Sequence, residues 1–123
     1  MYFITICCVP RHENQLALPG IWEAIHETIS LREEKGESDC RLALAMPDHF
    51  HALMGFPGGK SMVQVISAFK SWLASQCGIQ WQRDFFDHRL RNLESAAEKA
   101  QYIRMNPVRA GLVANPADWP YQR

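Results

Sequence analysis

The sequence predicts an α+β fold of the split βαβ, or ferredoxin-like, kind: β-α-β-β-α-β followed by one more helix, which carries a tyrosine. Three observations carry this. Short β-rich apolar runs alternate with stripes at helical spacing. Two of those runs are joined by a tight Pro47-Asp48 turn, which makes them a hairpin. A capping box at Ser61 and a glycine stop at Gly78 bracket the second helix.

In chain order, residues 2–9 form an apolar run that ends at Pro10 and reads as the first strand. After a polar loop to Gly20, Ile21, Trp22, Ile25 and Ile29 recur at helical spacing, with the charged stretch 33–37 as the exit. Residues 40–46 and 49–56 are the hairpin strands, the second closed by Pro57-Gly58-Gly59. Ser61-x-x-Gln64 opens a helix with Met62, Val65, Phe69 and Trp72 along its apolar stripe. Residues 81–86 supply an edge-like fourth strand. Ser95-x-x-Glu98 is a second capping box, opening a helix expected to stop at Asn106 because Pro107 disfavours continuation. Helices are expected on one face of the sheet, leaving the other face for a ligand.

Composition narrows the function classes. At 123 residues the chain suits one domain, taken as residues 1–123, and 47% hydrophobic with 21% charged residues is an ordinary globular balance. No apolar stretch approaches the roughly 18–20 residues of a membrane span, and the opening residues lack the basic leader of a secretory signal, so a cytoplasmic location is expected. Cys7, Cys8, Cys40 and Cys77 contain no C-x-x-C pair and read as small buried apolar groups. Net charge is zero, which argues against a generic polycationic binder. Yet residues 1–59 carry four Lys/Arg against eight Asp/Glu, and residues 60–123 nine against five, so a phosphate backbone suits the second half better. There is no internal repeat or low-complexity tract.

The segment Met46-Pro-Asp-His49-Phe-His51 is the most informative. In a strand, residues i and i+2 share a face, so His49 and His51 project side by side while Phe50 turns to the core. Two imidazoles so placed can bind one divalent cation, although two exposed strand histidines without function is the commoner explanation of such a pair. Tyr102 and Asn106, four residues apart, stack on one helical face. If that helix crosses the sheet, Asn106 can add an oxygen ligand and Tyr102 can stand beside the metal. Imidazole and carbonyl-oxygen ligands with open positions suit Mn²⁺ or Mg²⁺ better than a closed structural zinc site. On spacing alone, a half-buried core tyrosine is the better explanation of Tyr102.

The blocks MPDHFHAL and YIRMNPVRAGLV, with WQRDFFDHRLR between them and WPY near the end, resemble the REP-associated tyrosine transposases. These are relatives of the insertion-sequence single-tyrosine transposases in the HUH endonuclease class. The resemblance runs in order over essentially the whole chain. It implies that His49 and His51 bind the metal, Tyr102 is the nucleophile and Asn106 is a third metal contact. It further implies recognition of a hairpin in single-stranded DNA and cleavage through a 5′-phosphotyrosine link that leaves a free 3′-OH. A free phenol titrates near ~10 and needs help to attack at neutral pH, which a divalent metal on the phosphate would provide. No general base is identifiable; water or Asp48 are the candidates. Insertion-sequence relatives act as dimers and the REP-associated branch is thought to act as monomers, so both states stay open. Many members also have a longer lead-in and C-terminal tail than this chain.

Further expectations concern DNA contacts. Basic residues interleaved with aromatics hold single strands, and Lys70, Arg104 and Arg109 are the better candidates. His88 either lines the site or ends the fourth strand. Tyr121 is a second possible nucleophile near the terminus, more readily explained by aromatic packing. Gly58-Gly59-Lys60-Ser61 imitates a P-loop, but Met54 stands where its first glycine belongs, which excludes nucleotide hydrolysis. Two alternatives to a nicking and joining enzyme are a catalytically silent hairpin-DNA-binding protein and an unrelated metal-dependent hydrolase.

Overall fold

A computed structural model describes residues 1–123 in the order β1 (Tyr2–Cys7), α1 (Pro19–Glu34), β2 (Asp39–Ala45), β3 (His49–Gly55), α2 (Met62–Cys77), β4 (Phe86–Arg89), α3 (Leu93–Arg104) and α4 (Asn106–Arg109), with a short 3-10 turn over Pro116–Asp118. The expected α+β order is present. The sheet runs β2-β3-β1-β4 with every neighbouring pair antiparallel.

Strand alternation divides the side chains between two cores. Ile4 and Ile6 of β1, with Phe50, Ala52 and Met54 of β3, point to one face and pack against Ile25 and Ile29 of α1 and Ile66, Phe69 and Leu73 of α2. Leu42, Leu44 and Leu53 point to the other face, where Ile103 of α3, Leu90 and Trp119 cover them. The second face is therefore not open throughout, because α3 lies over β3 and β2.

Ser61 caps α2 as read, with its side chain accepting from Gln64 N and the Gln64 side chain answering to Ser61 N; Gly78 closes the helix in the left-handed conformation. The second capping box is corrected. Asn92 is the cap of α3, its side chain accepting from Ser95 N, so Ser95 already lies inside the helix. The fourth strand is also displaced. Trp81 makes only an isolated bridge to Cys8 and packs against the first core, donating its indole N–H to Lys70 O at 3.1 Å, while the ladder with β1 is made by 86–89. Pro107 does not end the helical path, which turns at Met105 and resumes as α4 with Pro107 in its first turn, where no N–H is needed.

The C-terminal tail folds back along β2. Ala43 and Arg123 exchange backbone hydrogen bonds, Ala45 N donates to Tyr121 O, and the Trp119 indole donates to Ala45 O at 3.0 Å. Tyr121 meets Trp119 edge-on at 5.3 Å and is packed rather than presented. The P-loop imitation is structural: Lys60 donates to Glu37 at 2.9 Å, and a Cβ on Gly58 would lie 2.6 Å from Gly36 O, so close approach of two loops explains the glycine. Cys8 and Cys40 are buried thiols, pushed up to about 12 chiefly by that burial. No helix is long and apolar enough to cross a membrane.

Candidate active site

The site lies on the second face of the sheet, where β3 meets the junction of α3 and α4. Register places Thr5 opposite His51 and Cys7 opposite His49. Directly opposed residues of an antiparallel pair share a face, so β1 presents Phe3 and Thr5 beside the histidines. The two imidazoles stand edge-on with ring centroids 4.8 Å apart, and Phe50 is buried on the opposite side, as alternation requires.

Each histidine is held through its Nδ1. His49 Nδ1 is 2.8 Å from Asp48 Oδ1, and His51 Nδ1 is 2.9 Å from Thr5 Oγ1. Nε2 is therefore the nitrogen that each ring has to offer. Burial, with the nearby charges of His49 and Arg109, pushes the His51 imidazole down to about 3, so it is neutral and keeps a lone pair at any ordinary pH.

Asp48 is an orienting group rather than a general base, which corrects the expectation that it is a candidate for that role. Burial by itself would raise its carboxyl. Arg11 Nε at 2.9 Å and the His12 N–H at 2.8 Å on one oxygen, with His49 on the other, outweigh burial and hold it far below the usual carboxylate range. A carboxylate so committed does not accept a phenolic proton near neutrality. His12 has a left-handed backbone, with φ at 70°, and its N–H is one of the donors on Asp48.

The helix side arrives in two pieces, with Tyr102 in α3 and Asn106 opening α4 beyond the turn at Met105, which corrects the expectation of one helix carrying both. Asn106 Nδ2 lies 3.4 Å from His49 Nε2, tying the start of α4 to the strand pair. Tyr102 is half-exposed and joins the site through Phe3, whose ring stacks on His51 at 5.3 Å and meets Tyr102 edge-on at 6.3 Å. Arg109 covers the Tyr102 ring at 4.2 Å and donates to Tyr102 O at 2.6 Å; the Lys99 ammonium sits 5.5 Å from the same ring. All of these groups come from a single chain.

The donor set fits a divalent cation. Two neighbouring imidazoles offer Nε2, Asn106 beside His49 can present its oxygen in place of Nδ2 by a flip of the carboxamide, and no three His, Cys, Asp or Glu side chains form a closed cage. Of the other expected contacts, Arg104 is exposed and in no ion pair. Lys70 is placed elsewhere. It lies on α2, across the sheet from the histidines, and its ammonium donates to Gln82 O, Arg83 O and Asp84 O at 2.7, 3.0 and 3.4 Å. Those bonds pin the loop before β4 and use the donors a phosphate would need, which corrects its reading as a DNA contact. Thr5, Phe3, Arg11 and Lys99 were not among the sequence candidates. For Thr5 and Phe3 the period-2 parity of β1 was a usable signal, but only once the register with β3 was known.

No family model matches the chain. A Haemophilus influenzae protein assigned as a REP-associated tyrosine transposase is 33% identical over 142 aligned positions, covering 98% of this chain and 77% of that protein. The REP-associated tyrosine transposase of Escherichia coli K12 is 30% identical over 81 positions, covering 63% of this chain and 49% of that protein; the match thus spans about half of the Escherichia coli protein. In three dimensions the chain is similar to a solved REP-associated tyrosine transposase bound to a REP hairpin, with a TM-score of 0.85 and 24% identity over 98% of this chain and 74% of that one. On the extent of the Haemophilus influenzae match, this chain belongs to the REP-associated tyrosine transposase family.

Proposed function

We propose that the chain is a tyrosine-nucleophile enzyme that nicks and rejoins single-stranded DNA beside a hairpin, with Mg²⁺ or Mn²⁺ held by His49, His51 and Asn106. The observation that carries this reading is the 3.4 Å approach of Asn106 Nδ2 to His49 Nε2, which holds the start of α4, two residues past the end of the tyrosine-bearing α3, against the strand pair. A solved relative of the same fold is bound to a REP hairpin, which supports the choice of substrate class.

The chemistry follows from the residue types. The Tyr102 oxygen attacks the scissile phosphorus, a new P–O bond forms to the phenol, and the bond to the departing 3′ oxygen breaks. The phenolic proton passes to solvent, and the departing 3′ oxygen takes a proton from solvent to become the free hydroxyl. The resulting 5′-phosphotyrosine conserves the phosphodiester energy, so a 3′-OH can reverse the step without a nucleotide cofactor. When bound, the divalent cation supplies Lewis acidity toward the phosphate oxygens. Arg109 fixes the ring of Tyr102 and adds positive charge where the phosphate arrives. Asp48 and Thr5 set the orientation of the two histidines. Phe3 packs on both His51 and Tyr102 within the chain, which supports attack in cis.

The test uses an end-labelled, hairpin-bearing single strand drawn from palindromes flanking the gene, incubated with Mn²⁺ or Mg²⁺. A denaturation-resistant protein–DNA adduct is expected from the wild type, and none from Tyr102→Phe. The half-exposed side chain of Tyr102 makes that substitution compatible with the fold. Cleavage that persists in Tyr102→Phe without an adduct would overturn the assignment of the nucleophile.

A further inference from the structure

The two edges of the sheet are treated differently. The β2 edge is covered by the tail through Ala43, Ala45, Tyr121 and Arg123, whereas β4 pairs on one side only and all four of its residues are exposed. Phe86 is 67% exposed, although its neighbour Phe85 is packed against the first core. Register puts Phe86 opposite Thr5 and His88 opposite Phe3. Thr5 is the partner of His51, and Phe3 the ring between His51 and Tyr102. Phe86 and His88 consequently look out on the same face as the candidate active site. Two strand spacings, about 10 Å, separate Phe86 from His51, a distance on the scale of a nucleotide or two. Helix α3 packs over β3 and β2, which leaves this part of the face uncovered.

The surroundings are cationic. Arg91, Lys99, Arg104 and Arg109 outnumber Glu94 and Glu98 between β4 and the end of α4, and none of the four forms an ion pair. Beside His88 an open cavity of about 820 Å³ is lined by Arg89, Arg91, Asn92 and Ser95. An aromatic and an imidazole two residues apart on a strand, flanked by unpaired arginines, match what an unpaired strand requires: flat surfaces for bases and charge for phosphates. A second copy of the chain pairing along β4 is disfavoured by Asp87 and Arg89, since charged residues on a short edge strand oppose edge-to-edge pairing.

We propose that Phe86 and His88, with the adjoining arginine-lined cavity, form a stacking platform for unpaired nucleotides of the DNA strand whose phosphate reaches Tyr102. This rests on the single-strand DNA reading given above and assigns the path by which the flank leaves the hairpin.

The experiment compares two forms of a hairpin strand from the palindromes flanking the gene, one trimmed flush and one with a short unpaired thymidine tract carrying a single aminopurine. Binding is read by anisotropy and stacking by aminopurine quenching. For the wild type, the tract tightens binding and the aminopurine is quenched at one or more positions. For Phe86→Ala, affinity for the tailed hairpin is expected to fall roughly 5- to 100-fold with loss of quenching, affinity for the flush hairpin to stay the same, and Phe86→Trp to restore both. Equal affinity and equal quenching in wild type and Phe86→Ala would overturn the platform while leaving hairpin recognition intact. Failure of the wild type to bind either form would instead remove the DNA reading beneath it. A shift from dimer to monomer on Phe86→Ala in sedimentation, with DNA binding unchanged, would make the edge a self-interface and also overturn the proposal.

Discussion

Asp48→Asn isolates the orienting role of one carboxylate. In the wild type, Asp48 takes hydrogen bonds from Arg11 Nε, the His12 N–H and His49 Nδ1 at 2.9, 2.8 and 2.8 Å. Asparagine keeps the shape and one oxygen, which can still face Arg11 and His12. The atom next to His49 then becomes an NH₂ group, a donor facing a donor. The ring relieves this by moving its proton from Nδ1 to Nε2 and accepting at Nδ1. Nε2 is the nitrogen beside Asn106, so the substitution removes the lone pair the metal would use. Losing such a partner typically costs ~10- to 100-fold in metal affinity, or about 1.4–2.8 kcal/mol.

The stability cost is smaller than the bonds suggest. A hydrogen bond to a charged group contributes about 1.5–3 kcal/mol, but the Arg11 side chain is 44% exposed and its share is screened. A net loss of roughly 1–2 kcal/mol is expected, a few degrees in Tm. The sign with pH is fixed by the direction of the shift. A carboxyl held below its unfolded value stabilises the fold above that value, 3.8, and the contribution is lost as pH falls from there toward the folded pKa. The difference between wild type and Asp48→Asn is thus fully present at neutral pH. Mn²⁺ titration followed by electron paramagnetic resonance, with long-range ¹⁵N spectra of His49, reads both consequences. An Asp48→Asn protein that binds Mn²⁺ as tightly as the wild type with His49 still protonated on Nδ1 would refute the reasoning.

Other outcomes follow from the same geometry. Gly58→Ala should lower stability by about 1–3 kcal/mol because its Cβ would meet Gly36 O, whereas Gly59→Ala, with open space at that position, should be near neutral; equal melting temperatures would refute the close-approach argument. Lys70→Met should cost about 1–3 kcal/mol in chemical denaturation and speed amide exchange around residues 82–84; a loss of hairpin affinity with no loss of stability would show the ammonium free for phosphate after all. Since His51 stays neutral down to about 3 while the unfolded chain takes up a proton from 6.5 downward, metal-free stability should fall as pH drops through that window, by up to a few kcal/mol. His51→Gln should flatten this slope, and a wild-type profile already flat from pH 6.5 to 4 would contradict the buried, neutral imidazole.

What the sequence could disclose depended on how local the cause was. The Ser61 cap, the Gly78 stop and the hairpin at Pro47-Asp48 are decided within a few residues, and each stands where the pattern put it. The fourth strand depends instead on which segment finds the free edge of β1. The aromatic run from Trp81 suggested a strand, but Trp81 is drawn into the first core and pairing waits until Phe86. The same distinction holds at the site. Alternation alone places His49 and His51 together, whereas the turn at Met105 that parts Tyr102 from Asn106 is not legible in four-residue spacing. Nothing local shows that His51 will meet Thr5, because one residue of register slip would exchange the faces of β1. Nor does anything local show that the loop with Arg11 and His12 will close on Asp48, since that contact spans 36 and 37 residues of chain.

The place of Tyr102, the proposed nucleophile, is decided by residues that have no chemistry. Ile103, adjacent to Tyr102, is fully buried, and with Ala96 and Ala100 it forms the stripe by which α3 rests on Leu42, Leu44 and Leu53. Alanines in that stripe let the helix axis lie close to the sheet, near enough for Phe3 to reach both His51 and Tyr102. Trp119 closes the same cluster and is itself tied to β2 through Ala45. The helix is thus clamped between the sheet and the returning tail, and Tyr102 is left half-exposed at the rim. Such a position suits a group that must meet a large, flexible substrate. The histidines are also anchored from the other side, by Phe50 in the first core, and the two halves of the site meet at Asn106 and Phe3 as well as through Leu53 of β3 under α3. A perturbation of either core should therefore reach the site first as a change in the relation of Tyr102 to His49, before either group loses its own surroundings.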